Sequence, residues 1–424
     1  MQGSDSHWFL FVLFPFISMI MAIRGYKSAW AKNIVWAFIV FYGFTFAVGK
    51  ESTDSDIIRY VEELREMYKK DFSVDQVVAF FKESGEADVV RTIIATIVSR
   101  FTDSPAVLTA VYGFIFGFFF TRNFWYVLER FTGRLKWVTI LLLTVFFLIN
   151  PFWNINGFRF NTAVHIFLYG LLPYLFEGKK KGLIICFSSV LVHFSFLFPI
   201  LILLIYLAAG NRLYFYFGFF IISVFLSNIS ITELNNFLEA NLSEVFLERS
   251  KTYRNEETVN EYRQVRDSDN EGASYVAPAE DSIVQNWYVV YYLPALYNGV
   301  SLILIVMFMF ARSKLIANKW LLSAYCFGLL MFGFGNIMSS LPAGARFLMI
   351  SCLISVAAIL FYLQNQQHEK YVSKAILFAA PALLLYCLVS LRTGLYSISL
   401  TTVLGNPILA IFTNYNFSLN DLIK

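Results

Sequence analysis

Two short stretches carry groups suited to holding an anion. In SDIIRY, Asp56, Arg59 and Tyr60 stand at i, i+3 and i+4, on one face of a helix. In NPFWNINGFRFNTAVHIF, residues 150–167, Arg159 stands beside Gly157 at the head of an apolar run, and His165 follows six residues later. LVHFSFLFP adds His193 and Ser195, SSLPAGARFLM adds Arg346, and VVRTIIATIVSR adds Arg91. Arginine suits phosphate oxygens because its planar fork makes paired, charge-assisted hydrogen bonds. A cation among phenylalanines is costly, roughly 2.5 to 3.5 kcal/mol for Arg at the centre of a membrane helix. Such a cost is usually retained for a cavity, a pathway or a site. Arginines reached from within a membrane point to a lipid phosphate or diphosphate.

Plainer readings stand beside these. Arg159 and Arg346 could snorkel to the interface as helix anchors. His193 could be a satisfied interhelical hydrogen bond or, like Asp56, a general base near an acceptor hydroxyl. His165 lies a turn of ~600° from Arg159, so it points about 120° away and shares a face with Asn161. That favours a structural histidine over a ligand contact. The Asp56–Arg59–Tyr60 face could be a solvated helix with an internal ion pair.

These groups must be positioned by membrane helices. Apolar residues make up 58% of the 424-residue chain, aromatics 19% and charged residues 15%. A soluble domain runs near half apolar and a quarter charged. Apolar blocks long enough to cross ~30 Å of hydrocarbon recur from end to end. The pattern predicts an all-α, polytopic membrane protein with a single transmembrane domain over residues 1–424. About twelve spans are expected, near 7–23, 33–48, 105–125, 136–152, 157–176, 182–195, 196–209, 213–229, 287–310, 320–339, 344–363 and 374–391. The first is read as a retained helix, since no small-residue cleavage site follows it. One set of short loops holds sixteen of the 33 basic residues, with only Glu129, Glu177 and Glu369 among the acids. By the positive-inside rule that set is cytoplasmic, and both termini face outward. The net charge of +4 is then a topology signal and no argument for nucleic acid. The cysteines Cys186, Cys326, Cys352 and Cys387 all fall inside spans and read as small core hydrophobes. No metal-ligand spacing, phosphate loop or dinucleotide fingerprint is present, so no metal and no cofactor is expected.

Two long loops then face outward. The first, about 49–104, opens with IIRYVEELREMYKK, acids early and lysines late, a helix capped by Asp54 or Ser55. A second amphipathic piece is expected over 74–82. A third, 88–101, is too short to span and carries Arg91 and Arg100 at its ends. The second loop, about 229–286, opens with an amphipathic ITELNNFLEANLSEVFLE. It then turns polar, a composition expected to stay mobile until something binds.

SDIIRY, NINGFRFNTAV, HFSFLFP, the late ARFLM and NPILAIF together resemble Wzy-type polysaccharide polymerases, of the EpsG-like branch. The likeness runs over nearly the whole chain as topology, with short motifs. It implies a glycosyltransferase that joins oligosaccharide repeat units, each carried on undecaprenyl diphosphate, at the outer face of the bacterial cytoplasmic membrane. Arg159 and Arg346 would hold the lipid diphosphate in a metal-independent transfer. Arg59, Arg91, Tyr60, Ser195 and His165 would line the substrate, and His193 or Asp56 would act as base. Tyr60, Tyr253, Tyr262 and Trp287 would pack on sugar rings, with Trp287 equally suited to an interfacial belt. A flippase and a chain-length regulator of the same pathway are the implied partners, together with the bilayer. Two alternatives remain open: a glycan ligase using the same donor, and a lipid-linked-oligosaccharide flippase, which should show symmetric halves or broken mid-membrane helices.

Overall fold

In the computed structural model, residues 2–47, 56–70, 89–131, 135–226, 287–339, 344–365, 370–413 and 417–423 are described. Their order is α1 Gln2–Leu13, α2 Pro15–Arg24, α3 Ala31–Phe44, α4 Asp56–Lys70, α5 Val89–Ser99, α6 Pro105–Leu128, α7 Trp137–Ile149, α8 Phe158–Glu177, α9 Lys181–Val192, α10 Leu197–Ala209, α11 Leu213–Leu226, α12 Trp287–Ala317, α13 Lys319–Met338, α14 Arg346–Asn365 and α15 Lys370–Leu395. Short helices Leu400–Leu404 and Pro407–Phe412 follow. The protein is an all-α, polytopic membrane protein. Among the described residues, six stretches suit a membrane crossing by length and composition: Pro105–Leu128, Trp137–Glu177, Tyr291–Ala317, Lys319–Met338, Arg346–Gln364 and Lys370–Leu395. Shorter apolar helices occupy most of the other expected spans.

The first expected span, 7–23, is two helices and not one. Proline at 15 has no N–H and pushes its predecessor out of the helical region, so Phe14 sits at φ −141°, ψ 76°. The run 182–209 breaks at His193 into α9, a 3-10 turn Phe194–Phe196 and α10. The expected piece 74–82, the caps Asp54 and Ser55, and the second long loop with Tyr253 and Tyr262 lie outside the described residues, as does the side chain of Trp287.

The chain divides into two compact units, Met1–Ile200 with Ser390–Lys424, and Leu201–Val389. In the first, α3 and α6 cross closely because glycines remove side chains at the contact. A Cβ on Gly43 would strike the Thr109 carbonyl, and one on Gly113 the Ile39 carbonyl. Small residues at such crossings are the usual means of close helix association in lipid. α8 and α9 form a hairpin. Gly178 at φ 70° ends α8 in the left-handed conformation, and Gly170 meets Gly182 backbone to backbone. In the second unit, α13 packs against α11 and α14. Gly210, at φ 67°, turns the chain between α10 and α11, and its carbonyl accepts from Tyr216 Oη at 2.8 Å.

One end of the first unit gathers charge pairs. Lys32 meets Glu129 at 3.4 Å, and Glu177 meets both Arg130 and Lys179. Two of the three acids found among the basic short loops are therefore neutralised by those same bases. α8 carries Glu177 at this end and Arg159 at the other, so the arginine lies a helix length away from the basic loops.

Candidate functional site

The site is built from the turn between α7 and α8 outward. Residues Phe152–Gly157 form a 3-10 turn, and asparagines tie it down. Asn150 donates from Nδ2 to the Asn161 carbonyl at 3.0 Å, and Asn154 donates to Asn150 Oδ1 at 3.1 Å. Asn161 donates back to the carbonyls of Asn154 and Gly157, at 3.0 and 3.1 Å. A Cβ on residue 157 would crowd the Asn161 amide and push it off the carbonyls it binds. The result is a rigid helix start with Arg159 as its second residue.

Arg159 is half-buried and donates from Nε to Tyr60 Oη at 2.9 Å. Its guanidinium lies 5.6 Å from the Tyr60 ring centroid, and that of Arg91 lies 5.0 Å from the same ring. Tyr60, only 3% exposed, is therefore flanked by two cations, each in cation–π range. Burial pushes the Tyr60 hydroxyl up to about 12, although the Arg159 charge pulls the other way, so it is protonated at neutral pH. Arg91 is also 3% exposed and pairs with Glu63 of α4. Burial, and then the charge of Arg159, lowers the Arg91 guanidinium below its ordinary value. Asp56 and Arg59, two turns and one turn before Glu63, form an ion pair on the more exposed part of α4. Behind Tyr60, Tyr112 of α6 meets it edge-on at 6.1 Å and stacks on Phe158 at 4.1 Å and 14°.

These contacts explain why α4 docks. Its buried face is Ile57, Tyr60, Val61, Leu64 and Met67, an i, i+3, i+4, i+7 stripe, while Arg59, Glu62, Arg65 and Glu66 stay exposed. Among the described residues, the arrangement brings the guanidiniums of Arg59, Arg91 and Arg159 and the carboxylates of Asp56 and Glu63 together at the head of α8. Such a cluster can position an anionic group and stabilise charge that develops on a leaving oxygen.

A family model described as the EpsG family matches residues 34–399. The chain belongs to the EpsG family. Comparison with curated proteins and with solved structures returned no match. Membership in the EpsG family points to a polysaccharide-polymerase-like role and a lipid-linked glycan substrate in a multi-pass membrane protein. The matched stretch spans every residue of the Tyr60–Arg91–Tyr112–Arg159 cluster.

The remaining sequence-derived candidates of this EpsG family member lie as follows. His193 is buried, ends α9, and accepts at Nδ1 from the Ser195 N–H at 3.2 Å, with Ser195 Oγ at 2.8 Å. A backbone N–H only donates, so Nδ1 carries the lone pair and the neutral ring keeps its proton on Nε2. Its ring meets Phe160, the residue after Arg159, at 5.5 Å. His165 is buried, with Nε2 at 3.1 Å from the Asn150 carbonyl, while Asn123 Nδ2 donates to the His165 carbonyl at 2.7 Å. It braces the asparagine turn from below. Arg346 is exposed and is the first residue of α14, in the second unit. Five participants were not singled out as site residues from sequence: Glu63, Tyr112, Asn150, Asn154 and Asn161. Glu63 had a usable signal, being three residues from Tyr60 on the same helix face. Tyr112 had none, since one tyrosine in an aromatic-rich span is unremarkable until its neighbours are known.

Proposed function

We propose that this protein joins oligosaccharide repeat units carried on undecaprenyl diphosphate, at the outer face of the bacterial cytoplasmic membrane. The observation that carries the reading is Arg159, fixed by Tyr60 at a helix head with the second cation Arg91 beside it. The hydroxyl of an incoming lipid-linked unit attacks the anomeric carbon of the growing chain. The bond from that carbon to the diphosphate oxygen breaks, and the electron pair leaves with the lipid diphosphate. Arg159 holds that developing charge, the contribution for which oriented donors in dry sites are most effective. The hydroxyl proton passes to a base. Asp56, half-exposed, paired with Arg59 and one turn from Tyr60, and His193, whose Nδ1 is engaged by Ser195, are the two candidates.

Cells lacking the protein should accumulate single repeat units on the lipid carrier, read by mass spectrometry of extracted lipid-linked glycans. Long chains stranded on lipid would instead make the protein a ligase, and loss of all outward-facing units would make it a flippase.

The orientation rests on charge bias and has its own test. A cysteine placed at Lys180 should resist an impermeant thiol reagent in intact cells, while one placed at Asp56 should react. Strong labelling at position 180 would invert the protein and remove the outer-face mechanism.

A further inference from the structure

Resting on that reading, we propose that α4 covers the anion site with oxygens of its own, and that a lipid diphosphate displaces them and takes a further contact from the hydroxyl of Tyr112. Both inner cations are met by the same helix, three residues apart: Tyr60 Oη on Arg159 and the Glu63 carboxylate on Arg91. A carboxylate on a buried guanidinium is the side-chain counterpart of a phosphate oxygen on it. The match is incomplete, because the second carboxylate oxygen, Glu63 Oε1, is buried and has no hydrogen-bond partner.

Tyr112 is the independent observation. Its side chain is fully buried, and its hydroxyl has no hydrogen-bond partner. Buried hydroxyls are almost always bonded, and an orphan one calls for an explanation. The ring is clamped by Phe158 on its face and Tyr60 at its edge, so the hydroxyl cannot turn away to find a partner. It lies within electrostatic range of Arg91 and Arg159. Either guanidinium could donate to its oxygen, as Arg159 does to Tyr60, but neither can take its proton, because a guanidinium has no acceptor. What the group lacks is an acceptor, and the one species that would meet two cations and a hydroxyl proton together is an anionic oxygen. A diphosphate supplies several. Its prenyl tail would lie against the apolar helices, and its charge would take the place of Glu63 on Arg91.

The test is binding of farnesyl diphosphate and inorganic pyrophosphate to the purified full-length protein in nanodiscs, together with thermal unfolding. Tyr112→Phe keeps the stack on Phe158 and removes only the orphan hydroxyl. It should raise the melting temperature and yet weaken farnesyl diphosphate binding about tenfold, the scale of one lost hydrogen bond to a charged group. Glu63→Gln should tighten binding several-fold, because the ligand then supplies the charge that Arg91 has lost, and should enlarge the ligand-induced shift in melting temperature. Arg159→Gln separates the two levels of argument. If it leaves binding unchanged, the anion reading of Arg159 itself falls. If it weakens binding while Tyr112→Phe and Glu63→Gln change nothing, the displacement by ligand is wrong and the reading of Arg159 stands. Equal affinity for farnesyl diphosphate and pyrophosphate would overturn the lipid as the source of the anion.

Discussion

Arg159→Lys is expected to lose about a hundredfold in transfer rate, on the order of 3 kcal/mol, while the protein still inserts and folds. Lysine keeps the charge but loses the fork. The structure sharpens why that matters. Arg159 Nε is committed to Tyr60, and this bond fixes the plane in which the rest of the guanidinium lies. An ammonium on a flexible stem has no equivalent anchor and meets a leaving diphosphate as a point charge. The measurement is polymer length and yield per lipid-linked unit, normalised to inserted protein. His165→Ala is the informative comparison. Its ring braces the Asn150 carbonyl below the turn, so the loss should fall mainly on stability, with activity per folded molecule largely retained. Full activity in both Arg159→Lys and Arg159→Gln would reduce Arg159 to an interfacial anchor.

Much of the fold was legible because hydropathy and charge act locally. Apolar runs ended where lysines and arginines began, and the helix Asp56–Lys70 matched its amphipathic pattern with Asp56 in the first turn. The break at Phe14 was missed, although Pro15 marked it. Hydropathy averaged across it saw one continuous span, while the backbone saw a residue that cannot donate. The site was legible only in part. A cation at the head of an apolar helix is conspicuous in a sequence, and Arg159 was visible for that reason. Its supports were not. Asn150, Asn154 and Asn161 act by bonding one another's backbone across a turn, which depends on geometry that no spacing rule encodes. Arg91 was visible as a cation at one end of a piece too short to span, but its burial and its ion pair with Glu63 were not.

That ion pair carries the other large expected effect. Arg91→Met should destabilise the first unit by about 3 to 5 kcal/mol, because it leaves the Glu63 carboxylate partly buried and unpaired. Glu63→Met should also destabilise it, because it takes a charge partner from the guanidinium, the more deeply buried of the two at 3% exposure. The double substitution should cost much less than the sum, since both charges then leave the interior together and two apolar side chains fill the space. Equilibrium unfolding of the four proteins in mixed micelles closes the cycle. Additive losses would mean that the two side chains do not interact, and the docking of α4 would then rest on its apolar stripe from Ile57 to Met67 alone. A strongly coupled cycle would have a functional corollary. The Met/Met protein would keep α4 in place but lack both the cation that a diphosphate would meet and the carboxylate that it would displace. It should therefore remain folded and lose diphosphate affinity, which separates the stability of the cover from the chemistry beneath it.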